Sequence, residues 1–179
     1  MIRRLLLFSL VALSMDLAAL PPRPVKPASV TTQAQKADRW TQFRFLIGNW
    51  SGDGVGPAGK GLGNMTVETD LDNAILRMTN QVEFASQDKK TLYRGTMVVS
   101  SEQKALFLDN EGHVLHYTVT ATPRTITFVS VREPVPVLPR FRFIYNDLGG
   151  GKVRCSFDVA PPDTPNKFTI HVTGIVTKR

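Results

Sequence analysis

Cysteine is nearly missing from this chain. Cys155 is the only one among 179 residues, so no intrachain disulfide can form and the fold must hold through its core. Long hydrophobic runs are scarce as well. Beyond residues 5–13, no stretch approaches the ~18 consecutive apolar residues of a membrane-spanning helix, which excludes a polytopic membrane protein. The 13 glycines and 12 prolines follow no G-X-Y period, so a collagen-like rod is excluded too. Histidine is limited to three residues. His113 and His116 are three apart on an extended segment and point to opposite faces, so they form no zinc site and no metal ligands are expected.

Charge of one sign is not concentrated either. The net charge is +7, but residues 1–40 hold six Lys/Arg against two Asp, and the other 139 hold sixteen against thirteen. That remaining surplus of +3 forms no clustered stripe, so nucleic acid is not expected as a partner. What is present is 42% apolar residues, enough for one domain with a packed core.

The N-terminal region divides in two. Residues 1–20 place Arg3 and Arg4 ahead of the apolar run, the order of a signal peptide or an N-terminal anchor, and predict a periplasmic or secreted protein. Membrane contact is expected only if that segment stays uncleaved. Residues 21–36 begin with four prolines in seven positions and read as a proline-rich linker. The domain is then 37–179. At its start Trp40, Phe43, Leu46 and Ile47 recur at helical spacing, predicting a short amphipathic N-terminal helix that plugs or covers something.

Downstream, β-branched and aromatic runs bounded by Gly, Pro, Asn and Asp predict strands over 49–55, 63–70, 75–85, 92–100, 105–109, 113–120, 125–131, 141–146, 153–160 and 168–177. About ten antiparallel strands without crossover helices predict an all-β fold, a single barrel built as a meander closing on itself. Alternation assigns Leu76, Met78, Val82 and Phe84 to the interior, with Met97, Tyr117, Phe143, Cys155, Phe157, Phe168 and Ile170. Arg142, His116 and His171 fall on the solvent face, so Arg142→Ala should be nearly silent. Ten strands enclose more space than a solid core fills, which predicts an interior cavity for a small apolar or amphipathic molecule.

Two hairpins can be registered. A loop of residues 148–150 would set Arg140 opposite Asp158 and Arg142 opposite Ser156, avoiding opposed arginines. A three-residue loop of Asn110, Glu111 and Gly112, with Gly112 left-handed, sets Asp109 opposite His113 at one mouth of the barrel. There Asp109 would fix the His113 tautomer and leave the second ring nitrogen for a ligand or a proton; Asp109 organising the turn with His113 at the rim is the other reading. The candidate ligand-binding set is therefore Asn80, Tyr93, Met97, Asp109, His113, Leu115, Tyr117, Phe141, Phe143 and Tyr145. Cys155, buried and remote from any base, reads as an inert thiol. The glycines at 52, 54, 56, 59, 61 and 63 lead into strands rather than a helix, so they mark bent strands and turns, not a phosphate loop.

The segment Phe45-Leu46-Ile47-Gly48-Asn49-Trp50-Ser51-Gly52-Asp53-Gly54 resembles the opening strand of lipocalin-like barrels and the G-x-W-x-G-x-G opening of nitrobindin-like barrels. Residues 107–117, Pro139-Arg140-Phe141-Arg142-Phe143 and Ala160-Pro161-Pro162 resemble an uncharacterised family of secreted bacterial lipocalin-like β-barrel proteins, over 43–179. That resemblance implies a barrel and no established reaction, with no cofactor assigned. The nitrobindin likeness implies haem as an alternative, held by His171, although alternation turns His171 outward and Pro57-Ala58-Gly59 stands where those barrels have Pro-Thr. An enzyme using Asp109 with His113 is a further alternative.

Overall fold

The structure is a computed structural model that describes residues 39–85, 90–100, 103–132 and 138–179. The signal-peptide or anchor segment 1–20 and the linker 21–36 lie outside the described residues. Ten strands follow one another: β1 (Gly48–Gly56), β2 (Gly59–Asp70), β3 (Ile75–Ala85), β4 (Lys90–Val99), β5 (Lys104–Asp109), β6 (Val114–Ala121), β7 (Thr125–Ser130), β8 (Arg140–Gly149), β9 (Lys152–Ala160) and β10 (Thr169–Lys178). Each pairs antiparallel with its chain neighbour, and β1 pairs with β10, so the sheet closes into a barrel. Closure removes the unpaired edges that an open sheet would expose.

The amphipathic segment before β1 is shorter than its periodicity predicts. Only Thr41–Phe43 forms a helical turn, of the 3₁₀ type, and Gly48, at φ 136°, turns the chain straight into β1. That turn nevertheless plugs one end of the barrel. Trp40, Phe43 and Leu46 are buried against Trp50, Val67, Leu76 and Val99. Two indole N–H groups fasten the plug: Trp40 Nε1 donates to the Asn73 carbonyl at 3.1 Å and Trp50 Nε1 to the Leu46 carbonyl at 2.7 Å.

The β5–β6 hairpin has the predicted register, with Leu108 opposite Val114 and Gly112 at φ 90°. The β8–β9 hairpin does not. Gly149, Gly150 and Gly151 all lie at positive φ, the strand bulges between Asp147 and Gly149, and the turn moves one residue onward. Arg142 therefore faces Asp158, and Arg140 faces Ala160. The Arg142 guanidinium lies 2.6 Å from Asp158 Oδ2, and Asp158 is 1% exposed on the outer face of the barrel.

Phe168 and Ile170 correct the predicted faces. A bulge between Ile170 and Val172 shifts the β10 register. Phe168 stands outside, its ring 4.4 Å from the Arg142 guanidinium, and Ile170 is 68% exposed. The segment between β9 and β10 thus covers the Arg142 and Asp158 pair, with Arg140 Nη1 donating to Asn166 Oδ1 at 2.9 Å.

Candidate functional site

At the end opposite the plug, the inward rows of the strands do not meet. They leave a cavity of about 370 Å³ walled by Phe84, Phe107, Leu115, Phe141, Phe143 and Phe157, with Pro57 and Ala58 of the β1–β2 turn at its mouth. The rings pack edge and face on one another, Phe143 lying 4.8 Å from Phe157 and 5.6 Å from Phe107 between centroids. A second space of about 140 Å³ adjoins it and shares Asn80, Val82, Phe143 and Phe157 in its lining.

Of the predicted set, Asn80, Tyr93, Asp109, His113, Leu115, Tyr117, Phe141 and Phe143 line the larger cavity. Tyr93 stands at the mouth, 40% exposed. Two members lie elsewhere: Tyr145 lines the smaller space and Met97 is packed into the core. Both occupy the halves of β8 and β4 nearer the plug, where inward residues touch one another. The other lining residues lie outside that set, among them Phe157, Arg94, Glu111 and His171. Phe157 already had the right strand parity.

His171 did not, and the bulge explains it. With the extra residue at this point of β10, His171 and Val172 both line the cavity, and the His171 ring stands edge-on to Phe157 at 6.0 Å. Neither imidazole nitrogen has a hydrogen-bond partner among the described residues. A bulge leaves little trace in an alternating sequence, which is why the outward assignment fails.

The hairpin tip holds Asp109 and His113 as its register requires. His113 Nδ1 lies 2.8 Å from Asp109 Oδ2, while Asp109 Oδ1 accepts the N–H groups of Glu111 at 3.0 Å and His113 at 2.9 Å. The carboxylate therefore organises the turn and orients the ring together. Partial burial opposes the Asp109 charge, but the His113 ring and the two backbone N–H groups outweigh it, so this carboxyl titrates below its ordinary value. For His113, the hydrogen bond and the charge of Asp109 raise the imidazole above 6.5. Asn110 anchors the tip to β4, accepting the Arg94 N–H at 2.6 Å and donating to the Leu92 carbonyl at 3.2 Å. Ligand atoms of Asp109, Glu111 and His113 all lie within 4.8 Å of one another, so among the described residues this tip is where a cation could be held.

Deeper in, Tyr117 is 1% exposed and its hydroxyl has no hydrogen-bond partner among the described residues. Burial, then the Asp109 charge, hold the phenol well above its ordinary pKa, so it is a neutral donor. Burial likewise pushes the Cys155 thiol up to about 12, in keeping with an inert thiol.

The architecture defines the class: a closed, ten-stranded antiparallel barrel with an aromatic-walled interior cavity. No family model and no curated protein matches this chain. Among solved structures it is similar to the EF1p2_mFAP2b protein bound to DFHBI, with 11% identity over 78% of this chain and 98% of that one, at a TM-score of 0.40. It is also similar to the S-type phycobiliprotein lyase CPES from Guillardia theta, with 9% identity over 75% of this chain and 88% of that one, at a TM-score of 0.42.

Proposed function

We propose that this barrel binds a small, largely apolar molecule carrying one polar group. The observation that carries the reading is the Tyr117 hydroxyl, a buried donor without a partner among the described residues, beside a largely apolar cavity. An unmet polar group of that kind is costly, and a ligand oxygen or nitrogen would meet it. His113 at the mouth would contact the outer part of the same ligand through the nitrogen that Asp109 leaves free. Native mass spectrometry of protein purified from its own host tests the reading, with an added ligand mass expected in wild type and less of it in Tyr117→Phe. Bare wild-type chain would contradict it.

Export belongs to this reading, supported by Arg3 and Arg4 ahead of the apolar run at 5–13 and the prolines behind it. N-terminal sequencing of chain from fractionated cells is expected to find a start before residue 37. Intact chain in the cytosol would overturn that part.

The inward turn of His171 favours haem as a second reading. The residues fit to this extent: an imidazole without a hydrogen-bond partner among the described residues, at the mouth of a cavity walled by Phe141, Phe143 and Phe157. His171 would hold the haem iron through an imidazole nitrogen, and bound haem would bring redox and gas-binding chemistry. A Soret band lost in His171→Ala would support this reading, and its absence from host-purified protein would end it.

A further inference from the structure

The glycines of β1, β2 and β10 meet in register. Gly174, Gly54 and Gly61 form one row across β10, β1 and β2, and Val176, Gly52 and Gly63 form the next. They share strand parity with Trp50 and Met65, so both rows face the interior, where they floor the 140 Å³ space.

Four of these glycines are explained by crowding. A Cβ at Gly52 would strike the Ile175 carbonyl oxygen, and one at Gly174 the Asp53 carbonyl oxygen. At Gly54 it would lie 2.9 Å from the Thr173 carbonyl oxygen, and at Gly61 2.8 Å from the Phe84 ring. Gly63 differs. Its nearest neighbour would be Val82 Cγ2 at 3.4 Å, an ordinary contact, and its backbone needs no left-handed conformation. A glycine inside a strand weakens that strand, and neither clash nor turn calls for this one. A longer side chain at this position would extend into the 140 Å³ space that Gly63 lines.

One wall of that space is largely bare backbone. Strands lie about 4.8 Å apart, so three adjacent glycine-bearing strands make a wall about 10 Å wide, bare peptide except at Val176. Phe143, Tyr145 and Phe157 stand among the residues that enclose it. Asn80 lines both this chamber and the larger cavity, and its side-chain amide has no hydrogen-bond partner among the described residues.

We infer that the glycine-walled chamber is a subsite for a flat, uncharged terminal ring of the ligand, whose polar end stays in the larger cavity, on the other side of the Asn80 junction between the two spaces. This rests on the reading that the barrel interior takes a ligand, and it adds what kind. A flat ring packs well on bare peptide and beside the rings of Phe143, Tyr145 and Phe157, which line the same space.

Calorimetric titration with phenol and with 4-phenylphenol separates the two levels. Wild-type protein is expected to bind 4-phenylphenol about tenfold or more tighter than phenol, because the second ring is buried in the chamber. Gly63→Leu fills the chamber and should abolish that preference while changing phenol affinity less than about twofold. Gly63→Ala, which adds one carbon at ordinary contact distance, should lower the preference by a smaller factor and carries the test should the leucine variant fail to fold. A preference unchanged in every folded variant overturns the subsite, as does equal affinity of wild type for the two compounds. Failure of wild type to bind either compound overturns the binding reading itself.

Discussion

The two ends of this barrel are made from the same alternating strands and finish differently. At the plugged end Trp40, Phe43, Leu46, Trp50, Leu76 and Ile126 are all buried and fill the lumen. At the open end Phe107, Leu115, Phe141, Phe143 and Phe157 are only partly buried and surround about 370 Å³ of space. Apolar content does not distinguish them, since the open end carries more phenylalanine. The difference is the segment folded back into one mouth and the side chains missing from the glycine wall near the other. A row of inward aromatics therefore marks a lumen without saying whether the lumen is full.

Substitution should expose the contrast most strongly at the plugged end. Trp50→Ala removes a buried indole together with its bond to the Leu46 carbonyl and should cost about 3–5 kcal/mol in chemical denaturation. Arg142→Ala comes next, at about 2–4 kcal/mol, because it strands the buried Asp158 carboxylate, whose Oδ1 already has no partner among the described residues. Phe143→Ala, facing open space, should cost about 1–2 kcal/mol, less than the usual loss for a fully packed phenylalanine. Equal losses at Trp50 and Phe143 would mean that both ends are packed alike.

The Arg142 expectation reverses what alternation alone implies. Parity correctly put Arg142 outside, but an outside position is not always a wet one. The segment after β9 folds over it, and such a cover is invisible to a two-residue period. The cavity side was more legible: turn chemistry around Gly112 located Asp109 opposite His113, and parity located Tyr117, Phe141 and Phe143. His171 and the β8–β9 register escaped because each depends on one extra residue in a strand. Three successive glycines allow several turns, and the register observed is the one that joins Arg142 to Asp158.

Smaller effects come from the hairpin tip, where His113 is largely exposed and the ion pair adds little stability. The raised His113 value gives a contribution that is full below pH 6.5 and fades as pH rises through the folded value. The lowered Asp109 value gives one present above 3.8 and lost as pH falls through its folded value. The tip should thus be firmest between about pH 4 and 6.5. In an NMR titration Asp109→Asn should return His113 toward 6.5; an unchanged midpoint would mean the pair does not form in solution. Smallest of all, His116→Ala on the outer face should shift stability by less than about 0.5 kcal/mol and leave binding unaltered.

The contrast between the ends is tested most directly by NMR titration of the wild-type protein with 4-phenylphenol, followed through side-chain methyl signals. The account predicts shifts at Val82, Leu115 and Val172 around the cavity and none at Leu46, Leu76 or Ile126 beneath the plug. Shifts spread evenly over both ends, or confined to the plugged one, would contradict it.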